Sequence, residues 1–173
     1  LSIAHDGRVR LRHHGKGRGT LRLGDLEIEG TLEPAGLHCP RQAYVNVSEG
    51  CIFRCRYCTV PSLHGKTKDL ASIEARVREV LDRADAVAGT SGVSDSIEEE
   101  EHRVLAVVKR LVPLGKPIGV SIYPGPETPQ KLHELGVVEV KWNLEAAPPE
   151  LFARMCPGLD YEAVWKALRD SVE

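Results

Sequence analysis

The sequence predicts an α/β fold, a partial (β/α) TIM-like barrel of about four βα units preceded by a small β-rich extension. Three observations support this. After Pro40, short apolar runs with strand character alternate with longer helical patterns, which is how a parallel sheet with crossover helices reads. The units recur at about the 30 residues each βα unit needs. The stretch from Ala43 to Glu173 also falls well short of the ~250 residues of a closed eight-unit barrel. The expected organisation is an N-terminal extension over 1–38 and a core domain over 39–173, the N-terminal half of a barrel.

Within the extension, alternating pieces at 20–23 and 26–29 lie among turn-forming glycines, which suggests short strands. In the core, the first strand is expected over 43–49, closed by Gly50, with a helix over 71–83. A second strand over 86–90 passes through Ser91 and Gly92 to a helix over 97–114. Ser96 is placed to cap that helix, and Glu98 to Glu101 put negative charge at its positive end. The third strand spans 118–123 and is followed by Pro124-Gly125-Pro126 and a helix over 128–135 that stops at Gly136. A fourth strand over 137–142 leads to helical segments over 149–155 and 161–172.

Composition narrows the function classes. With 173 residues, 42% of them hydrophobic, the chain can bury a real core. A net charge of -2 gives no global pull toward a polyanion, so nucleic acid is not an expected partner. The first 22 residues do carry six Arg or Lys against one acid, which reads as a solvated surface. No apolar run approaches the roughly 18 residues of a membrane span, and no secretory leader is visible. The expected location is the cytoplasm. The start at Leu1 rather than Met suggests trimming, an incomplete gene model or an excised fragment, and with half a barrel the chain as given is expected to be an incomplete catalyst.

Five cysteines is an odd number, and three of them fall within eight residues, a pattern that points to metal rather than to a disulfide framework. The stretch is Cys51-Ile-Phe-Arg-Cys55-Arg-Tyr-Cys58, directly after a predicted strand. A C-x3-C-x2-C loop can give three thiolates to a cubane and leave the fourth iron open to an external chelator. Two blander readings stand beside this one. One is a zinc site completed by Cys39, His38 or His64, which lacks the usual second ligand pair. The other is an electron-transfer cluster with Cys39 or Cys156 as fourth ligand, whose spacings differ from those of ferredoxins.

The cysteine spacing, its place after a strand and the aromatic Tyr57 before the third cysteine resemble the radical S-adenosylmethionine (radical SAM) superfamily. That resemblance implies a [4Fe-4S] cluster on Cys51, Cys55 and Cys58, with S-adenosylmethionine chelating the open iron. It also implies reductive cleavage to a 5′-deoxyadenosyl radical, and an external electron donor such as flavodoxin or ferredoxin. Thr90, Ser91 and Gly92 lie where the family carries the segment that contacts the methionyl amine. Asn143-Leu144-Glu145, followed by Pro149 to Phe152 and Tyr161, is similar to the stretch of biotin synthase and its relatives that binds the methionine portion and ribose. Val164 and Trp165 stand where several of those relatives have an Arg. The cofactor-binding set implied is therefore Tyr57, Thr90, Ser91, Gly92, Asn143 and Glu145.

Strand alternation assigns faces. Tyr44, Asn46 and Ser48 share a side opposite Val45 and Val47, and Lys141, Asn143 and Glu145 share one opposite Val140 and Trp142. Helices cover the outside of such a barrel, so the polar side is expected to face inward. His64 and Lys66, just past the cysteines, read as solvated loop residues or as contacts to a bound molecule. The function expected is a radical SAM enzyme of the biotin-synthase-like group acting on a small molecule. The alternatives are modification of RNA or protein by the same chemistry, or a non-catalytic iron–sulfur or zinc module.

Overall fold

The computed structural model describes residues 9–32, 41–63 and 65–172. The chain divides into two compact units, Leu1–Pro40 and Arg41–Glu173.

The first unit contains an antiparallel sheet of β1 (Val9–Gly15), β2 (Arg18–Leu23) and β3 (Leu26–Thr31) in that order. Sequence reading anticipated cores of β2 and β3 but not β1. The β1–β2 turn runs through Gly15, Lys16 and Gly17, all with positive φ, a conformation that two glycines supply without steric cost. Register pairs Leu11 with Leu21 and Leu21 with Ile28, while Arg12, Thr20 and Glu29 align on the opposite face. Alternation thus gives an apolar and a charged face, and Leu23, Leu26 and Ile28 are exposed.

The second unit is a parallel sheet, β4 (Gln42–Asn46), β5 (Ala86–Thr90), β6 (Ile118–Ser121) and β7 (Glu139–Val140), in sequence order. Between and after the strands lie α1 (Leu70–Val80), α2 (Ile97–Leu111), α3 (Thr128–Glu134), α4 (Pro149–Met155) and α5 (Tyr161–Asp170). The succession of units and the parallel order match the α/β expectation. Asp69 caps α1 by accepting from the Ser72 N–H, and Ser96 caps α2 by accepting from Glu99. Short 3-10 turns over Leu81–Arg83 and Val112–Leu114 finish α1 and α2, where continuous helix was anticipated.

The core lies between the helices and one face of the sheet. Ala43, Val45, Val87, Ile118 and Val120 pack there with Ile73, Val77, Val104, Val108, Leu111, Leu132, Phe152 and Val164. The opposite face carries Tyr44, which is 68% exposed, so the anticipated division of β4 into an apolar helix side and a polar open side holds. Three strands are shorter than anticipated, each because the chain leaves to do something else. Beyond Asn46 the chain forms an antiparallel bridge from Ser48 to Thr67. Past Ser121, the chain carries Tyr123 to hydrogen bonds with Asp160. The strand expected over 137–142 reduces to Glu139–Val140: the Val137 N–H closes α3 on the Leu132 carbonyl, and Trp142 turns its indole N–H to Ser171 Oγ at 2.8 Å. α5 ends at Asp170, two residues before the expected stop.

Candidate active site

Loops from the C-terminal ends of the four strands gather at one edge of the sheet. The cysteine loop leaves β4 and is tied at three points. Ile52 donates its N–H to the Val93 carbonyl at 2.7 Å, Arg56 to the Met155 carbonyl at 2.8 Å, and Cys58 to the Cys55 carbonyl at 3.1 Å, which closes a turn between the last two cysteines. Phe53 packs on Tyr123 with ring centroids 5.7 Å apart. Gly92 lies directly behind the loop: a Cβ there would stand 2.4 Å from the Gly50 carbonyl oxygen and 3.1 Å from the Cys51 Cβ. Only glycine lets the two backbones approach this closely.

Cys51, Cys55 and Cys58 carry free, half-buried thiols. The Cys55 thiol faces the buried Cys156, and burial first, then Cys156, pushes it up to about 11. Tyr57 places its hydroxyl 3.7 Å from the Cys156 sulfur. Desolvation raises the Tyr57 phenol above its ordinary value, and Cys156 and the Glu145 carboxylate raise it further. Glu145, distant in sequence, is thus among the groups whose charge acts on Tyr57. Among the described residues no three His, Cys, Asp or Glu side chains converge on one point closely enough for a single ion. A cubane binds each thiolate through a different iron and so asks for spacing rather than convergence. Three free thiols on one anchored loop fit that requirement in kind.

The segment after β5 is divided in its roles. Ser91 Oγ accepts from the Ser48 N–H at 2.9 Å and donates to Glu100 at 2.5 Å. Glu100 also accepts from the Ser94 N–H and from Arg103, which pairs in turn with Asp95. The Ser91 hydroxyl thus ties β4, β5 and α2 together. Glu101, next to Glu100 in sequence, reaches the other way: it accepts from Thr128, which itself accepts from the Gly125 N–H, and from Lys131 at 2.7 Å.

Asn143 and Glu145 sit past β7 on exposed chain. That chain is steadied by the Tyr161 hydroxyl, which donates to the Ala147 carbonyl at 2.6 Å. Lys66 is exposed, and its carbonyl accepts from the Glu49 N–H. His38, Cys39 and His64 lie outside the described residues.

Sequence reading missed Glu100 and Glu101 as parts of this edge and weighed Cys156 only as a fourth ligand in the alternative electron-transfer reading. For the glutamates a signal exists. Extending the buried stripe of α2, Val104, Leu105, Val108 and Leu111, back by one helical turn lands on both, so their charges had to be buried and partnered rather than left to the helix dipole. Nothing local marks Cys156, whose place depends on how α4 returns under the cysteine loop.

The family model for the radical SAM superfamily matches residues 45–173. This chain belongs to that superfamily. The match spans the cysteine loop and every implied cofactor residue of the radical SAM core. Enzymes of the superfamily use a [4Fe-4S] cluster and S-adenosylmethionine, and depend on an electron donor. Among curated relatives, the ribosomal protein uS12 methylthiotransferase RimO of Gloeothece citriformis is 31% identical over 100 residues, which is 58% of this chain and 19% of that protein. The RimO of Desulforamulus reducens is 38% identical over 72 residues, 40% of this chain and 16% of that one. The matches therefore span a fifth or less of these relatives' length. Among solved structures, methylornithine synthase (PylB) aligns with a TM-score of 0.65 at 18% identity, covering 76% of this chain and 41% of that one. The hydrogenase maturase HydG of Carboxydothermus hydrogenoformans aligns at 0.63 and 15% identity, covering 76% and 33%. These two likenesses establish the fold of the radical SAM core. Among the described residues no helix is long and apolar enough to cross a membrane.

Proposed function

We propose that this chain holds a [4Fe-4S] cluster on Cys51, Cys55 and Cys58 and is the S-adenosylmethionine-cleaving part of an enzyme that abstracts a hydrogen from its substrate. The observation that carries this is the cysteine loop itself: three free thiols on one loop, pinned by Val93 and Met155 and backed by Gly92, at the end of a parallel sheet where barrel enzymes assemble their sites. When bound, the cluster supplies the electron that breaks the sulfonium carbon–sulfur bond of S-adenosylmethionine.

The chain's own residues have three tasks. The cysteines bind as thiolates, so cluster loading is coupled to proton release. Asn143 and Glu145 take the polar parts of the cofactor, Glu145 as acceptor for ribose hydroxyls, and Tyr57 stands on the cysteine loop itself, its hydroxyl 3.7 Å from the Cys156 sulfur. The Glu100 and Glu101 networks fix the loops after β5 and β6, so that these contacts keep their spacing.

The substrate read here is a small molecule. A protein substrate is the second reading, favoured by the printed activity of the RimO relatives on a ribosomal protein. Anaerobic reconstitution tests the common chemistry. About four iron and four sulfide per chain are expected, with an electron paramagnetic resonance signal that changes on adding S-adenosylmethionine. A chain that takes up zinc in preference, or whose cluster signal ignores S-adenosylmethionine, ends the proposal.

A further inference from the structure

The sheet has a face that the core does not use. Parallel register lines up two rows on it, Tyr44, Ala88, Gly119 and Glu139, then Asn46, Thr90 and Ser121, with Lys141 next in line. Each of these residues alternates with one buried under the helices: Val45, Val87, Val120, or Trp142 beside Lys141. The first row is low in its middle. Ala88 and Gly119 have little or no side chain, and Tyr44 and Glu139 rise at either end. Glu139 leans over Gly119, since a Cβ on that glycine would lie 3.8 Å from Glu139 Oε2.

Two features of this face call for a partner. Among the described residues, the buried polar side-chain atoms without a partner are Asn46 Oδ1 and Ser48 Oγ, both on this side of β4. Buried polar atoms in folded proteins are satisfied by the protein itself or by a bound molecule. In addition, Glu139 and Lys141 are exposed and share the face two residues apart, yet neither forms an ion pair with a described residue. Their backbone positions are separated by about 6.6 Å of strand rise. A molecule carrying an ammonium and a carboxylate on one carbon, with a hydrogen bond at each end, can bridge that separation.

We propose that the open face of the sheet is a substrate subsite for an α-amino acid head, Glu139 receiving the ammonium and Lys141 with Ser121 and Thr90 receiving the carboxylate. The inference deepens the small-molecule reading and rests on the radical SAM assignment, because it places the substrate beneath the cysteine loop. Asn46 and Ser48, nearest that loop, take polar hydrogens of the substrate. A residue inside a protein chain has neither free charge at its α-carbon, so this subsite separates a free amino acid from a protein substrate.

S-adenosylmethionine carries an amino acid head of its own, and the test has to tell the two apart. Radiolabelled L-norvaline is dialysed to equilibrium against the cluster-loaded chain with saturating S-adenosylmethionine, with iron content and cofactor binding measured on the same sample. Saturable norvaline binding is expected, with N-acetyl-L-norvaline and L-norvaline methyl ester competing at least tenfold less well. Glu139→Gln and Lys141→Met should each weaken norvaline binding about tenfold or more. Lys141→Arg should keep most of it, which shows that the fold survives change at this position. Displacement of norvaline by S-adenosylmethionine would hand the face to the cofactor and overturn the proposal, as would equal competition by the blocked derivatives. If iron is absent, the radical SAM reading has failed on its own measurement. The metal-free chain presents the same sheet face, and lack of saturable norvaline binding there would still reject the subsite.

Discussion

The edge of the sheet that carries the candidate site is built differently at its two ends. At β4 and β5 the loops are sewn together: the cysteine loop to Val93 and Met155, Ser48 to Ser91, Ser91 and Ser94 to the buried Glu100. Past β7, Asn143 and Glu145 stand on exposed chain, and the Glu145 carboxylate acts on the Tyr57 phenol electrostatically. On the function proposed here, the difference follows from what each end would hold. Three thiolates must be spaced for a rigid inorganic cube, which cannot adjust to them. A nucleoside with rotatable bonds can adjust, so its partners are allowed to wait in solvent and order on binding.

Substitution at the cysteines should break the rigid end outright. Cys51→Ala, Cys55→Ala and Cys58→Ala are each expected to abolish the iron and sulfide content after anaerobic reconstitution, because two remaining thiolates are too few to retain a cube. Retention of full iron by any one of them would remove that residue from the ligand set.

The next effect should come from a residue with no functional group. Gly92→Ala puts a methyl 2.4 Å from a backbone carbonyl that is itself anchored, so the loop rather than the methyl must move. Overpacking of this kind costs about 1–3 kcal/mol, and here the displaced backbone is that of Gly50 and Cys51. A lowered urea midpoint together with reduced iron content is expected. Loss of stability with full iron would mean that loop position and cluster binding are independent.

How much of this was legible in the sequence differs between the two ends. The cysteine motif was legible because its pattern is local: three cysteines within eight residues, directly after a strand. The βα succession and the Ser96 cap were legible for the same reason, since period and capping are properties of neighbours. Ser91 was not. Its hydroxyl joins Ser48, more than forty residues earlier in sequence, to Glu100 on the next helix, contacts that only packing creates. The fourth strand was overextended because Val137 and Trp142 have strand character yet are claimed by α3 and α5. Glu100 and Glu101 were half legible, as members of α2's buried stripe whose charge disguised them.

At the open end, Glu145→Ala should leave iron and sulfide unchanged while weakening S-adenosylmethionine. Loss of a hydrogen bond to a charged group costs about 1.5–3 kcal/mol, or roughly ten- to a hundredfold in affinity. Calorimetric titration of the cluster-loaded variant decides it. Unchanged binding would free Glu145 from the cofactor and leave its approach to Tyr57 as a structural contact.

The smallest effect should come from the residue between the two ends. Cys156 is fully buried, faces the Cys55 thiol and lies 3.7 Å from the Tyr57 hydroxyl, so on position it could serve as a fourth ligand or as packing. Packing is the expected role. A fourth thiolate would close the iron that S-adenosylmethionine needs, and Cys156 is held in place from α4, its N–H bonded to the Phe152 carbonyl at 2.7 Å. Cys156→Ala should therefore keep its full iron content and its spectroscopic response to S-adenosylmethionine, at a stability cost of about 1 kcal/mol for the small void under the loop. Iron that falls by a quarter or more, or a cluster signal that no longer responds to S-adenosylmethionine, would make Cys156 part of the metal site. The contrast between a rigid cysteine end and an open cofactor end would then have to be redrawn with α4 on the rigid side.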